Sequence, residues 1–335
     1  MFKLSYLILF VLCLGLVFYS CQDSSSPTAV NNLDQDGINS LAKKTTSWNV
    51  PGDFATIEDA LNDVSVLDGH TIMVGPGNFA GAYISKAVNI KGIGSAVIDD
   101  GPMHPTAGLS MGFRLLAGSD GCTISHLAFE VDLAIMNGDA VNDVKVTQCT
   151  FNNAIQGISN WRGSGWEISH NNIVDLRTRC GGGIGIFIGD FAGGDVKNNV
   201  VSHNNIYGTL HVSSGDCGGY NGSGIVLYAD FRWGGAGTTN MSNNSVIKNK
   251  VSMSSDTPLL VDIAAFELTD SRDDKNATPY PVIYDNYIGF NDWRGTVLQM
   301  AFIPEELEEL NSVSRNLGDN RGHGLHPKMF GPGGN

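Results

Sequence analysis

The sequence predicts an all-β solenoid, a parallel β-helix, and three observations carry that prediction. Six short segments end alike: residues 123–129 (TISHLAF), 146–151 (VTQCTF), 167–173 (EISHNNI), 200–206 (VVSHNNI), 245–251 (SVIKNKV) and 282–288 (VIYDNYI). Aligned on Phe129, Phe151, Ile173, Ile206, Val251 and Ile288, they recur 22, 22, 33, 45 and 37 residues apart, a unit of 22 stretched by insertions. Two residues before the anchor, four of the six carry Asn (Asn171, Asn204, Asn249, Asn286), with Leu127 and Cys149 in the same place. Composition agrees: 42 Gly and only 16% charged residues suit many tight turns between short strands.

A single coil cannot bury its own apolar face, so coils stack and equivalent residues come to lie one above another. Amides stacked at a turn hydrogen-bond along the axis and satisfy groups that are costly to bury unpaired. Turn propensity alone explains Asn at these positions but not the apolar Leu127 and Cys149, so the column is expected to face inward. Of the 335 residues, 48–330 are read as one elongated domain. The net charge of −14 argues against nucleic acid or an anionic membrane surface as partner, since neither gains from like charge.

The N-terminus reads as an export signal. Lys3 precedes an uncharged apolar stretch over residues 4–18, about the length of a signal-peptide core and short for a membrane span. It ends at Ser20-Cys21, after which the chain turns abruptly polar. This resembles a bacterial lipoprotein signal over residues 1–20, with Cys21 as the lipidated residue; a plain signal peptide or an uncleaved anchor are the alternatives. Residues 21–47 then form a flexible tether. The expected location is the bacterial outer membrane or cell surface, with periplasmic or secreted protein as the alternative. Cys180 and Cys217 lie in Gly-rich insertions of successive coils, so a disulfide between them is expected in an oxidising compartment. Cys122 and Cys149 occupy different phases of the repeat and are expected to be buried thiols.

Ile57, Ala60, Leu61 and Val64 recur at helical spacing, and residues 71–74 begin an apolar strand closed by Gly75-Pro76-Gly77. Such a helix covers the open end of a solenoid and its exposed strand edge. Thr56-Ile57, Ala60-Leu61, Asp68-Gly69, Thr71-Ile72 and Pro76-Gly77-Asn78-Phe79 together resemble the opening of the pectin-lyase-like superfamily of right-handed parallel β-helices. With the Asn-bearing coils, the resemblance covers about residues 48–325. It implies a right-handed coil and an N-terminal capping helix, and weakly implies chemistry, because members range from polysaccharide lyases and glycoside hydrolases to proteins without catalysis. Gly322-His323-Gly324 matches one element of the galacturonan hydrolases, out of order, while Asp99-Asp100 and Asp273-Asp274 lack the flanking residues. The family's catalytic residues therefore do not carry over.

A second recurring element lies between the Asn turns: residues 155–162 (IQGISNWR), 184–192 (IGIFIGDFA), 224–233 (GIVLYADFRW) and 263–272 (IAAFELTDSR). Each is an apolar strand ending in Asn160, Asp190, Asp230 or Asp270, followed in several coils by a ring (Trp161, Phe191, Phe231) and an Arg (Arg162, Arg232, Arg272). Stacked in register, these make a band in which rings offer flat faces to sugars, Arg grips a uronate or sulfate, and Asp binds Ca²⁺ or acts as acid or base. The alternative is ordinary turn structure, with Asp ending strands and Arg pairing to it; strand parity decides between them.

The expected activity is binding, and in an enzymatic version cleavage, of an extracellular polysaccharide, by a lyase or a glycoside hydrolase. As a uronate lyase, Asp190, Asp230 or Asp270 would hold Ca²⁺ as the one cofactor. Asp230, Arg232, Asp270 and Arg272 are the candidate catalytic residues; Trp161, Arg162, Phe191, Phe231 and Trp233 are the candidate substrate contacts. The rival is a non-catalytic surface lipoprotein acting as adhesin, glycan receptor or envelope spacer. In either case a monomer is expected, touching the membrane through its lipid only. His126, His170 and His203 share a phase beside the Asn column, and of the two readings, a metal row or solvated surface His, the second is expected because no acidic or Cys ligand shares the phase. The run beginning at Pro304 reads as a short helix that lies over the groove or on a flank.

Overall fold

The computed structural model describes residues 46–179, 182–190, 194–212, 221–229, 239–256, 262–270, 282–296 and 299–318. The chain winds as a right-handed parallel β-helix: seven complete coils each give one strand to a ten-stranded sheet, one to a seven-stranded sheet and one to an eight-stranded sheet, and the terminal coils give strands to some of these only. Three coils add a strand to a small three-stranded sheet. One representative coil runs Lys145–Thr147, Thr150–Ala154 and Gln156–Trp161.

The turn from the ten-stranded to the seven-stranded sheet repeats because one backbone conformation repeats. His126, Gln148, His170, His203, Lys248, Phe290 and Arg315 all sit in the left-handed region with φ between 55 and 58°. Each bends the chain sharply and is followed by the inward-facing residue of the column. From Asn171 onward that residue is Asn. The Asn204 Oδ1 accepts from the Asn171 backbone N–H and from Asn171 Nδ2, both at 3.0 Å. Asn204 Nδ2 donates in turn to Asn249 Oδ1 at 3.0 Å and to the Ile168 carbonyl at 2.9 Å. Every side-chain donor and acceptor site of this buried amide is thereby used. Cys149 heads the column, its N–H donating to Asn171 Oδ1 at 3.0 Å.

Phe129, Phe151, Ile173, Ile206 and Val251 are successive register partners, as the repeat predicts. Ile288 is not: it pairs with Val246 in the ten-stranded sheet. The sixth column position belongs to Asn291, 42 residues beyond Asn249, and Asn316 comes 25 later. The late coils carry two Asn turns, one on each side of the short strand, and the sequence alignment of Asn286 takes the wrong one. Asn286 belongs to a second ladder, in which Asn199, Asn244, Asn286 and Asn311 bond one to the next at 2.8–2.9 Å.

Before Cys149 the stack is held by hydrocarbon. Phe113 meets Phe129 edge-on at 5.5 Å, and Phe129 lies flat on Phe151 at 5.0 Å. The helix Ile57–Asn62 closes this end: Thr56 caps it by accepting from the Asp59 N–H, and Ile57, Ala60 and Leu61 are buried. Val64, expected on the same face, is 90% exposed because the helix has already ended. Cys122 and Cys149 are buried free thiols, as expected, and burial pushes each up to about 12. The short helix Glu305–Glu308 buries Leu307 in the main core, and its Leu307 carbonyl accepts from Asn311 Nδ2; it closes the coil ahead of the strand Ser312–Ser314.

The corner entering the eight-stranded sheet has its own column: Gly81, Gly112, Ala134, Gly157, Gly185, Gly224 and Ala265 stack in register. A Cβ on Gly185 would stand 2.5 Å from the Gly224 carbonyl oxygen, so nothing larger fits without moving backbone. Replacing Asn204 by Leu leaves the amides above and below without partners and is expected to cost about 1–3 kcal/mol. Gly185→Val is expected to cost about 1–3 kcal/mol through overpacking. Urea unfolding of both variants measures these losses, and stability equal to wild type in either would remove the corresponding column as a structural element.

Candidate functional site

The small-residue column sets parity for the eight-stranded sheet. The residue after it points into the main core: Ala82, Phe113, Ile135, Ile158, Ile186, Ile225 and Phe266. The next residue therefore points out. That outer column reads Tyr83, Arg114, Met136, Ser159, Phe187, Val226 and Glu267 in continuous register. Two residues further along the strands, Trp161, Gly189, Tyr228 and Thr269 form a second outward column. On the near side lie Leu133, Gln156, Ile184 and Ser223.

This outer face is a second, smaller core rather than a bare sheet. Leu109, Met111, Leu133, Met136, Ile155, Trp161, Ile184, Phe187, Val226 and Tyr228 pack as one buried cluster. Polar groups are set into it. Ser223 donates to Glu267 Oε2 at 2.9 Å, and Glu267 is fully buried. Gln156 Nε2 donates to Ser159 Oγ at 2.7 Å. Arg114 lies over the backbone of Gly138, where a Cβ would stand 2.7 Å from Nε. At one margin, residues 102–111 form a hairpin closed by the Met103–Ser110 bridge and by the Met111 N–H donating to the Pro102 carbonyl. Its His104 Nδ1 accepts from the Ala107 N–H at 3.1 Å, so the ring's proton sits on Nε2.

The long insertions of three coils all enter or leave at this sheet. Strands Gly183–Asp190, Asn221–Ala229 and Asp262–Asp270 are bounded by chain segments 180–181 and 191–193, 213–220 and 230–238, and 257–261 and 271–281. Among the sequence-derived candidates, Cys21, Cys180, Phe191, Cys217, Asp230, Phe231, Arg232, Trp233 and Arg272 lie outside the described residues.

The remaining candidates are placed differently from the expected open band. Asp190 and Asp270 are buried and flank the core residue Ala229 in register, so they turn inward. Ala229 takes the rung between them, and the expected alignment of Asp190, Asp230 and Asp270 is out of register by one residue. Arg162 Nε stands 3.7 Å from Asp190 Oδ1 at the strand end, with the Arg162 side chain a third exposed. Asn160 also faces in, donating to Asn199 Oδ1 at 3.2 Å. Trp161 does face out, but packs on Phe187 with ring centroids 4.2 Å apart and is buried. Among the described residues, no three His, Cys, Asp or Glu side chains gather as metal ligands. Glu267, Arg114 and Ser223 are the site groups that sequence reasoning missed. The small-apolar-x pattern beginning at Gly112 and Ala265 is the signal that would have found the first two, since it fixes which residues face out.

No family model matches the chain, and no curated protein matches it. Among solved structures it is similar to the catalytic domain of a GH87 alpha-1,3-glucanase variant in complex with nigerose, at 13% identity and a TM-score of 0.33, covering 87% of this chain and 70% of that one. The same GH87 alpha-1,3-glucanase variant in complex with tetrasaccharides gives 13% identity and a TM-score of 0.30, covering 87% of this chain and 71% of that one. A mutant tailspike protein of E. coli bacteriophage HK620 in complex with pentasaccharide gives 12% identity and 0.27, covering 83% of this chain and 61% of that one. Likeness at this level assigns neither family nor activity.

Proposed function

We propose that the protein is an exported, lipid-anchored β-helix that binds an extracellular polysaccharide along the outer face of its eight-stranded sheet, in the manner of the pectin-lyase-like proteins it resembles. The observation that carries the reading is the outward column of Tyr83, Arg114, Met136, Ser159, Phe187, Val226 and Glu267, which sets a guanidinium, a hydroxyl and a carboxylate among rings and apolar side chains in continuous register. A solenoid face that runs in register over many rungs suits a long ligand. The buried members form the wall. Tyr83, 41% exposed, and Arg162 are the described groups a sugar would meet, and Asp230-Phe231-Arg232-Trp233, next in the chain after the strand Asn221–Ala229, are proposed to join them.

In the enzymatic version the reaction is elimination from a uronate polymer. Ca²⁺ held at Asp230 would acidify the proton beside the carboxylate, and Arg232 or Arg272 would act as base or clamp, whereas Asp190 and Asp270, buried and turned inward, do not fit the ligand role the sequence suggested for them. Binding without turnover is the second reading. It is favoured by the burial of Asp190, Glu267 and Asp270, which suits carboxylates held for structure.

A glycan array followed by product analysis with Ca²⁺ present separates these. Saturable binding is expected, and an unsaturated, ultraviolet-absorbing product marks the lyase; absence of binding to every polymer would remove the glycan reading. Trp233→Ala and Arg232→Ala are each expected to weaken binding at least several-fold with folding intact, and unchanged affinity in both would move the site elsewhere. For the anchor, Cys21→Ser is expected to abolish metabolic lipid labelling, and labelling that survives would exclude Cys21 as the acceptor.

A further inference from the structure

The exposed turn residues form a column of their own, directly outside the Asn ladder. Reading along the axis they are His126, Gln148, His170, His203, Lys248, Phe290 and Arg315. Because every one is left-handed and every Asn after it is bonded to the next, these side chains leave the backbone in parallel from fixed points. Two pairs exploit this. Arg315 lies over the Phe290 ring at 5.2 Å, and His170 and His203 stack with centroids 4.9 Å apart and planes 3° from parallel.

We infer that His170 and His203 form a surface site for a divalent transition metal such as Ni²⁺ or Zn²⁺, with water completing the coordination. Both imidazoles are exposed, so each ring turns about its Cβ–Cγ bond at little cost until a nitrogen of each reaches one ion at about 2.0–2.1 Å. The backbones are already held: the His170 N–H donates to the Ser202 carbonyl at 3.2 Å, and the two adjoining Asn residues are bonded at 3.0 Å. Bringing two ligands together therefore costs less ordering entropy than on a mobile loop.

The surrounding charges set the strength of the site. On the His170 side stands Glu167, whose carboxylate is engaged by Lys145 at 2.9 Å and by Ser169, and which also attracts the His170 ring. On the His203 side stands Lys248. Lys248 opposes the bound cation, and removing it strengthens binding. His126 is separated from His170 by the Gln148 rung and stands too far along the axis to share the ion.

The test is calorimetric titration of the tag-free protein with Ni²⁺ and Zn²⁺ at pH 7.5. One equivalent is expected, with His170→Asn and His203→Asn each weakening the affinity at least ten-fold. Asn suits the left-handed turn, which Asn198 and Asn243 already occupy in the neighbouring ladder, so these variants keep the fold. Lys248→Ala is expected to tighten binding several-fold, and His126→Ala to change it less than two-fold. The metal should raise the melting temperature of wild type but not of the His170 variant. Failure of wild type to bind, or equal affinity in wild type and both Asn variants, overturns the site.

Discussion

Each ladder amide needs another amide one rung away, and this single requirement holds the coils in register. Asn171, Asn204, Asn249, Asn291 and Asn316 bond in series at about 3 Å, buried from the first to the fourth. A slip of one residue in any coil would break two such contacts and turn that coil's apolar face outward. The second series, through Asn199, Asn244, Asn286 and Asn311, pins the other side of the same short strands. With both ends of the ten-stranded sheet fixed, variation in coil length is confined to the opposite side.

That confinement links fold to site. Coil lengths range from 18 residues between Ile72 and Ile90 to 45 between Asn204 and Asn249, and in the longer coils the added residues flank, along the chain, the strands of the eight-stranded sheet. The small-residue column lets the chain bend into this sheet and fixes the parity of each strand beyond the bend. Ring and polar side chains therefore align on one outer face, whichever residues the insertions carry.

Much of this was legible in the chain. The apolar anchors from Phe129 to Val251 gave the repeat directly, and Thr56 and Leu61 gave the cap, because both patterns are local. The ladder was legible through Asn249 and then lost, since Asn286 and Asn291 sit in near-identical turns on either side of one short strand. Spacing to an apolar residue cannot tell such turns apart. The site was the less readable part. Asp190 and Asp270 end strands as turn-formers do, and their inward direction depends on a bend at Gly185, Gly224 and Ala265. Sterics at that corner leave only small residues, and nothing in hydrophobic alternation marks them.

The two halves of the solenoid are fastened by different forces. Ahead of Cys149 the inner corner is hydrocarbon, with Leu127 in the column and Phe113, Phe129 and Phe151 stacked behind it. Beyond it the corner is a chain of amide hydrogen bonds. Apolar association weakens on cooling, whereas hydrogen bonding among buried amides carries no such dependence on the ordering of water. The inner corner near the capping helix is therefore the more cold-sensitive stretch of that corner, within a stack whose apolar core runs on through the later coils.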